Sequence, residues 1–168
     1  MRVNINAGQI ARSAILTALY VVMTVVLPFP AYGGVQFRFS EILVLLCFYN
    51  PVYCVSMTLG CAIANLFSPF AYIDVVFGTL ATVIAVIPMY RLKKLWVAAL
   101  LPVLTNGVIV GLEVAFIYKL PLLFTCLSVA AGEFAVVVVV GVPLFKLLLE
   151  KNKPFMRIIC KADTPPFS

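Results

Sequence analysis

Glu41, Asp74, Glu113 and Glu133 are the residues of this chain most able to do chemistry, because they stand at the ends of, or inside, long apolar runs. The other two acids, Glu150 and Asp163, lie among lysines and need no special account. An ionisable side chain at the centre of a membrane helix costs about 2.5–3.5 kcal/mol on insertion scales. Glu133, roughly 18 Å into the last apolar run by helical rise, carries most of that penalty. Four such acids facing lipid would be hard to retain. Four facing one water-filled pocket are far less costly, and there they can bind hydrogen-bond donors.

Amides and one guanidinium accompany these acids. Gln36 and Arg38 precede Glu41, and Arg38 and Glu41 are three residues apart, close enough to share a helical face. Asn65 closes the third apolar run, and Asn106 and Glu113 are seven apart on the fifth, again on one face. The expected ligand-binding set is therefore Gln36, Arg38, Glu41, Asn65, Asp74, Asn106, Glu113 and Glu133. The competing reading is that polar groups simply glue helices together, with bonds averaging well under 1 kcal/mol. Glue, however, has no reason to avoid one half of the membrane, and this set does. Carboxylates and amides would read the donor edge of a planar heterocycle, purine-like or pterin-like, and rings such as Phe29, Tyr32, Phe37, Phe39, Phe70 and Tyr72 could cover its faces. The alternative for those rings is the ordinary aromatic belt of a membrane interface.

Composition narrows the class. Hydrophobic residues make up 64% of the chain and charged residues 11%, against about 25% charged in an average soluble domain. Most of the surface must face something other than water. Histidine is absent, which removes the common zinc geometries, the Ser-His-Asp triad and the Cys-His dyad. The five cysteines form no CxxC pair, and Cys47, Cys54 and Cys61 read as small buried apolar residues. No GxxxxGK[ST] loop is present, so the chain is expected to be no enzyme, to hold no cofactor or metal, and to leave any ATP hydrolysis to a partner. The net charge of +6 does not imply nucleic-acid binding, because the basic residues form no single patch.

Proline, glycine and charge divide the chain into six apolar helices that must position the acids. They are expected at about 9–27, 40–49, 51–66, 72–90, 95–117 and 121–149. Ser40 is the expected N-cap of the second. That helix, roughly 16 Å long, is too short for a core about 30 Å thick, so it must be tilted, extended into its loop or covered by neighbouring protein. The first run is long enough to span, and reads as a helix and not a signal peptide. Residues 1–150 form one transmembrane domain and 151–168 a short basic cytoplasmic tail. With both termini in the cytoplasm, ten basic residues lie inside and only Arg38 and Lys119 outside, as the positive-inside rule requires.

Ala7, Ala11, Ala14 and Ala18 form a small-residue stripe on the first helix, suited to a close helix approach. Ala11, Ala14 and Ala18 are the expected partner-docking residues, with packing inside the bundle as the alternative. Gly107 and Gly111 make a GxxxG assigned to internal packing. The loop carrying Phe29, Tyr32, Gly33, Gly34 and Phe37 is the expected gate, its glycines supplying backbone freedom.

These residues resemble a known family. Gln36-Phe37-Arg38-Phe39-Ser40-Glu41, Gly60-Cys61-Ala62-Ile63-Ala64-Asn65, the stretch from Asp74 to Thr82, the stretch from Asn106 to Glu113, and Gly132-Glu133 together look like the QueT family, over about Ala7 to Leu149. The resemblance implies an all-α, six-helix S-component bundle of an energy-coupling factor (ECF) transporter in the bacterial plasma membrane. It implies a ligand among the queuosine precursors, 7-aminomethyl- or 7-cyano-7-deazaguanine. The implied partners are a transmembrane coupling protein, docked through Ala14-x-x-x-Ala18, and two cytoplasmic ATPases. Glu133 or Glu113 would take the donor edge of the ligand, and Glu41 or Asp74 an ammonium. The rivals are an S component for another planar heterocycle or vitamin, a stand-alone secondary transporter, a membrane enzyme with paired carboxylates, and an assembly subunit that binds no small molecule.

Overall fold

The structure is a computed structural model that describes residues 7–26, 37–150 and Ile159. Among these residues there is no strand, and helical segments follow one another with short connections. We number them α1 (Ala7–Val26), α2 (Phe39–Tyr49), α3 (Val52–Asn65), α4 (Ala71–Met89), α5 (Leu95–Tyr118) and α6 (Leu122–Leu148). Four of them, α1, α4, α5 and α6, are long and apolar enough to cross a membrane. The boundaries fall within about two residues of those expected from the punctuation.

The surface is inside-out relative to a water-soluble protein. Val76, Phe77, Leu80, Ile84 and Ile87 on α4 are exposed, as are Leu123, Phe124, Leu127, Val139 and Leu147 on α6. Arg38, Glu41, Asn65, Asn106, Glu113 and Glu133 are buried. An apolar skin around a charged interior is stable only in a solvent that cannot solvate charge.

Short α2 is covered by neighbouring protein. From Ser40 to Asn50 every residue but Leu43 is buried. Its first seven residues, Phe39–Leu45, wind as a 3₁₀ helix and only Leu46–Tyr49 as an α-helix. The tighter winding stretches the segment to about 20 Å, still short of a bilayer core. Ser40 does not cap it. Arg38 holds the N-cap position without capping the helix through its side chain, and the Ser40 hydroxyl instead pairs with Thr24 of α1 at 2.6 Å. A hydroxyl on the neighbouring helix outcompetes the local backbone. Beyond α2, the Asn50 side-chain oxygen Oδ1 accepts from the Val52 amide at 3.1 Å, closing the turn into α3.

The main apolar core lies at the Tyr49 end of the bundle. Val44, Leu45, Cys47, Met57, Met89, Ala98, Val137 and Phe145 are buried there, and the Tyr49 and Phe145 rings stack with centroids 6.1 Å apart. The Asn50 side-chain amide reaches the Ile159 carbonyl at 3.3 Å, which places Ile159 at the same end. The expected GxxxG serves internal packing. A Cβ on Gly107 would come within 2.8 Å of the Ala130 Cβ, and one on Gly111 within 2.7 Å of the Cys126 Cα, so both glycines let α5 lie against α6.

Candidate functional site

Arg38 is the centre of the buried polar cluster. Its guanidinium lies within electrostatic reach of Glu41, Glu113 and Glu133, on three different helices. It sits against α4, where a Cβ built on Gly78 would be 3.7 Å from Nη1. The 3₁₀ winding explains the Arg38–Glu41 relation. Residues i and i+3 eclipse in that geometry, and the Glu41 amide donates to the Arg38 carbonyl at 3.0 Å.

Glu41 is engaged inside the fold. The Tyr20 hydroxyl of α1 donates to Glu41 Oε1, and both residues are fully buried. Gly60 makes room for that ring, since a Cβ there would sit 3.0 Å from Tyr20 Cβ and Cγ. Thr24 donates to the Tyr20 carbonyl at 2.8 Å as well as meeting Ser40. The α1–α2 contact is thus held by hydroxyls.

Glu133 is differently placed. It is 3% exposed, Asn106 Nδ2 donates to its Oε1 at 2.9 Å, and its Oε2 has no partner. Both helices change winding at this pair. The stretch Asn106–Val110 of α5 and the stretch Phe134–Gly141 of α6 are π-helical. Such turns are uncommon and concentrate at functional positions, where they re-aim side chains.

Asp74 and Glu113 form a third group. Their carboxyls lie within hydrogen-bonding reach of one another. Glu113 is 5% exposed and Asp74 is half-buried. Glu113 Oε1 has no partner. Asn65 adjoins them: its Nδ2 donates to the Asp74 carbonyl at 2.9 Å, which leaves its buried Oδ1 unpartnered. Gly78 is required here, because a Cβ would fall 2.5 Å from Asn65 Nδ2.

The structure thus brings Arg38, Glu41, Asn65, Asp74, Asn106, Glu113 and Glu133 into one buried region. Gln36, Phe29, Tyr32, Gly33 and Gly34 lie outside the described residues. Phe37 is half-buried and packs against the main apolar core. Phe39, Phe70 and Tyr72 are exposed, Tyr72 at 91%, and Phe70 meets Tyr118 edge-on at 5.6 Å.

Sequence reasoning missed Tyr20, Thr24, Ser40, Cys61 and Thr82. Cys61 sulfur accepts from Thr82 at 3.2 Å and from Asn65 Nδ2 at 3.4 Å, so it belongs to the polar cluster and is not merely a small apolar residue. Tyr20 was the one recoverable signal: a tyrosine in mid-span needs a partner for its hydroxyl. On the other side of α1, Ala11, Ala14 and Ala18 are exposed. Ala14 and Ala18 border a groove of about 840 Å³ between α1 and α3, lined also by Val52, Val55 and Leu59.

The comparisons agree with this architecture. Residues 10–150 match the family described as QueT transporter. The chain is 34% identical over 143 residues to the queuosine precursor transporter QueT of Lactococcus lactis subsp. cremoris (strain MG1363), covering 76% of this chain and 84% of that relative. No solved structure matches the chain. The apolar-skinned helices and the match over most of the chain lead to one assignment: this protein belongs to the QueT transporter family, as a multi-pass protein of the cell membrane and not an enzyme.

Proposed function

We propose that the chain is the substrate-binding S component of an ECF importer, capturing 7-aminomethyl- or 7-cyano-7-deazaguanine from outside for ATP-driven uptake by a partner module. The observation that carries this reading is the set of unpartnered acceptors buried around Arg38, from Glu113, Glu133 and Asn65. A deazaguanine offers N1–H and an exocyclic amine to carboxylates and a carbonyl to a guanidinium or amide. The relative's name, a queuosine precursor transporter, supports the same ligand class.

In this reading the chain makes six passes with both termini in the cytoplasm, consistent with ten basic residues on one side against two on the other. Residues 151–168 form a basic cytoplasmic tail. The loop before α2 gates the pocket. The exposed Ala11, Ala14 and Ala18 dock the transmembrane coupling protein, and two ATPases bound to that protein supply the energy. Small side chains beside a groove allow a close helix approach.

Equilibrium binding to the purified protein tests the ligand. Both deazaguanines should bind tightly, with guanine, thiamin and riboflavin much weaker. Binding of none of them, or a preference for a vitamin, would overturn the assignment. Ala14→Leu and Ala18→Leu should leave ligand binding intact and reduce co-purification with the coupling protein. Unimpaired assembly in both variants would remove the docking face.

A further inference from the structure

We propose that Asp74 and Glu113, with Asn65 Oδ1, form a separate subsite for a primary ammonium group on the ligand, distinct from the Glu133–Asn106 pair that reads the ring. This rests on the proposed function and assigns roles inside the same site. Two carboxyls in reach of one another can share only one proton, which leaves their remaining oxygens as acceptors. Glu113 Oε1 has no partner although the residue is only 5% exposed. Asn65 has its amide nitrogen committed to the Asp74 carbonyl, and its buried oxygen is a second unpartnered acceptor in this group.

An ammonium carries three donors and one positive charge, which matches three acceptors of which two are acidic. Arg38 is shared among Glu41, Glu113 and Glu133 and lies against Gly78, and Lys119 is exposed on the bundle's surface. Glu41 already accepts from Tyr20, and so is less open to an ammonium than the Asp74–Glu113 pair. Glu133 has a neutral amide beside it and one open oxygen, a combination suited to the neutral N–H edge of a ring.

The test uses two ligands that share a ring and differ in one substituent. Binding of 7-aminomethyl- and 7-cyano-7-deazaguanine is measured on purified wild type, Asp74→Asn and Glu113→Gln. Both substitutions conserve shape, and thermal unfolding of each variant checks the fold. The expected result is a loss of roughly 10- to 100-fold in affinity for the aminomethyl ligand, with the cyano ligand changed by less than about threefold. Glu133→Gln should weaken both ligands alike. Equal losses for the two ligands in Asp74→Asn and Glu113→Gln, or no loss in either, would overturn the ammonium subsite while leaving the transport reading in place. Wild type that binds neither ligand would overturn the transport reading itself and this assignment with it.

Discussion

The two ends of the bundle are built on opposite rules. At the Tyr49 end, α2 is wrapped by apolar side chains, with Val44, Leu45, Cys47, Met57 and Val137 almost wholly inaccessible. At the Arg38 end the same chain buries a guanidinium and three carboxyls, and leaves oxygens of Glu113 and Glu133 without partners. Burying a polar group without a partner costs more than burying an apolar one of the same shape. A fold that needed only stability would have used the first rule throughout. The contrast assigns the Tyr49 end to holding the helices and the Arg38 end to holding something else. α2 joins the two: its 3₁₀ turns present Arg38 and Glu41, while its α-helical turn is set in the apolar core.

Substitutions at the two ends should therefore separate binding from stability. The largest effect is expected for Glu133→Gln. Glutamine can keep the bond from Asn106 but loses the charge, so affinity for a deazaguanine should fall by about 2–5 kcal/mol with thermal stability nearly unchanged. Unchanged affinity on titration would remove Glu133 from the site. Met57→Ala should do the reverse. In a bilayer the transfer penalty is small and the cavity term remains, so stability should drop by about 2 kcal/mol in denaturant unfolding, with affinity preserved. A comparable loss of binding would show that the two ends are not separable.

Tyr20→Phe sits at the junction. It strips the donor from Glu41, and should cost roughly 1–2 kcal/mol of stability and weaken binding less than Glu133→Gln does. Binding abolished in Tyr20→Phe would mean that Glu41 touches the ligand. The smallest effect is expected for Lys119→Gly. Lys119 ends α5 in the left-handed region at φ 53°, where the Leu120 amide bonds the Ala115 carbonyl at 3.0 Å. Glycine removes the Cβ clash there and should raise stability by about 1 kcal/mol at most, without touching affinity.

Much of the fold was legible because its signals are local. Asn50-Pro51 and the Arg91–Lys94 turn cut the apolar runs where the helices stop, and a shortened second run announced a helix that had to be tilted, extended into its loop or covered. The winding of α2 and the π turns at Asn106 and after Glu133 were not legible, because they answer to neighbours packed from elsewhere in the chain. The same holds for Ser40, whose position suggested a cap and whose hydroxyl went to Thr24. The acids of the candidate site could be named one by one from their cost in an apolar run, but Thr24, Cys61 and Thr82, which are ordinary membrane-helix residues by type, could not.

The amino-acid order alone determined that this chain is an apolar helical protein with acids placed where lipid would not tolerate them, since hydropathy and ionisation cost are properties of each segment by itself. Which acid is already paired and which is left open was decided only by the tertiary structure. Partnership depends on distances between helices, and Gly60, Gly78, Gly107 and Gly111 set those distances by what they allow to come close.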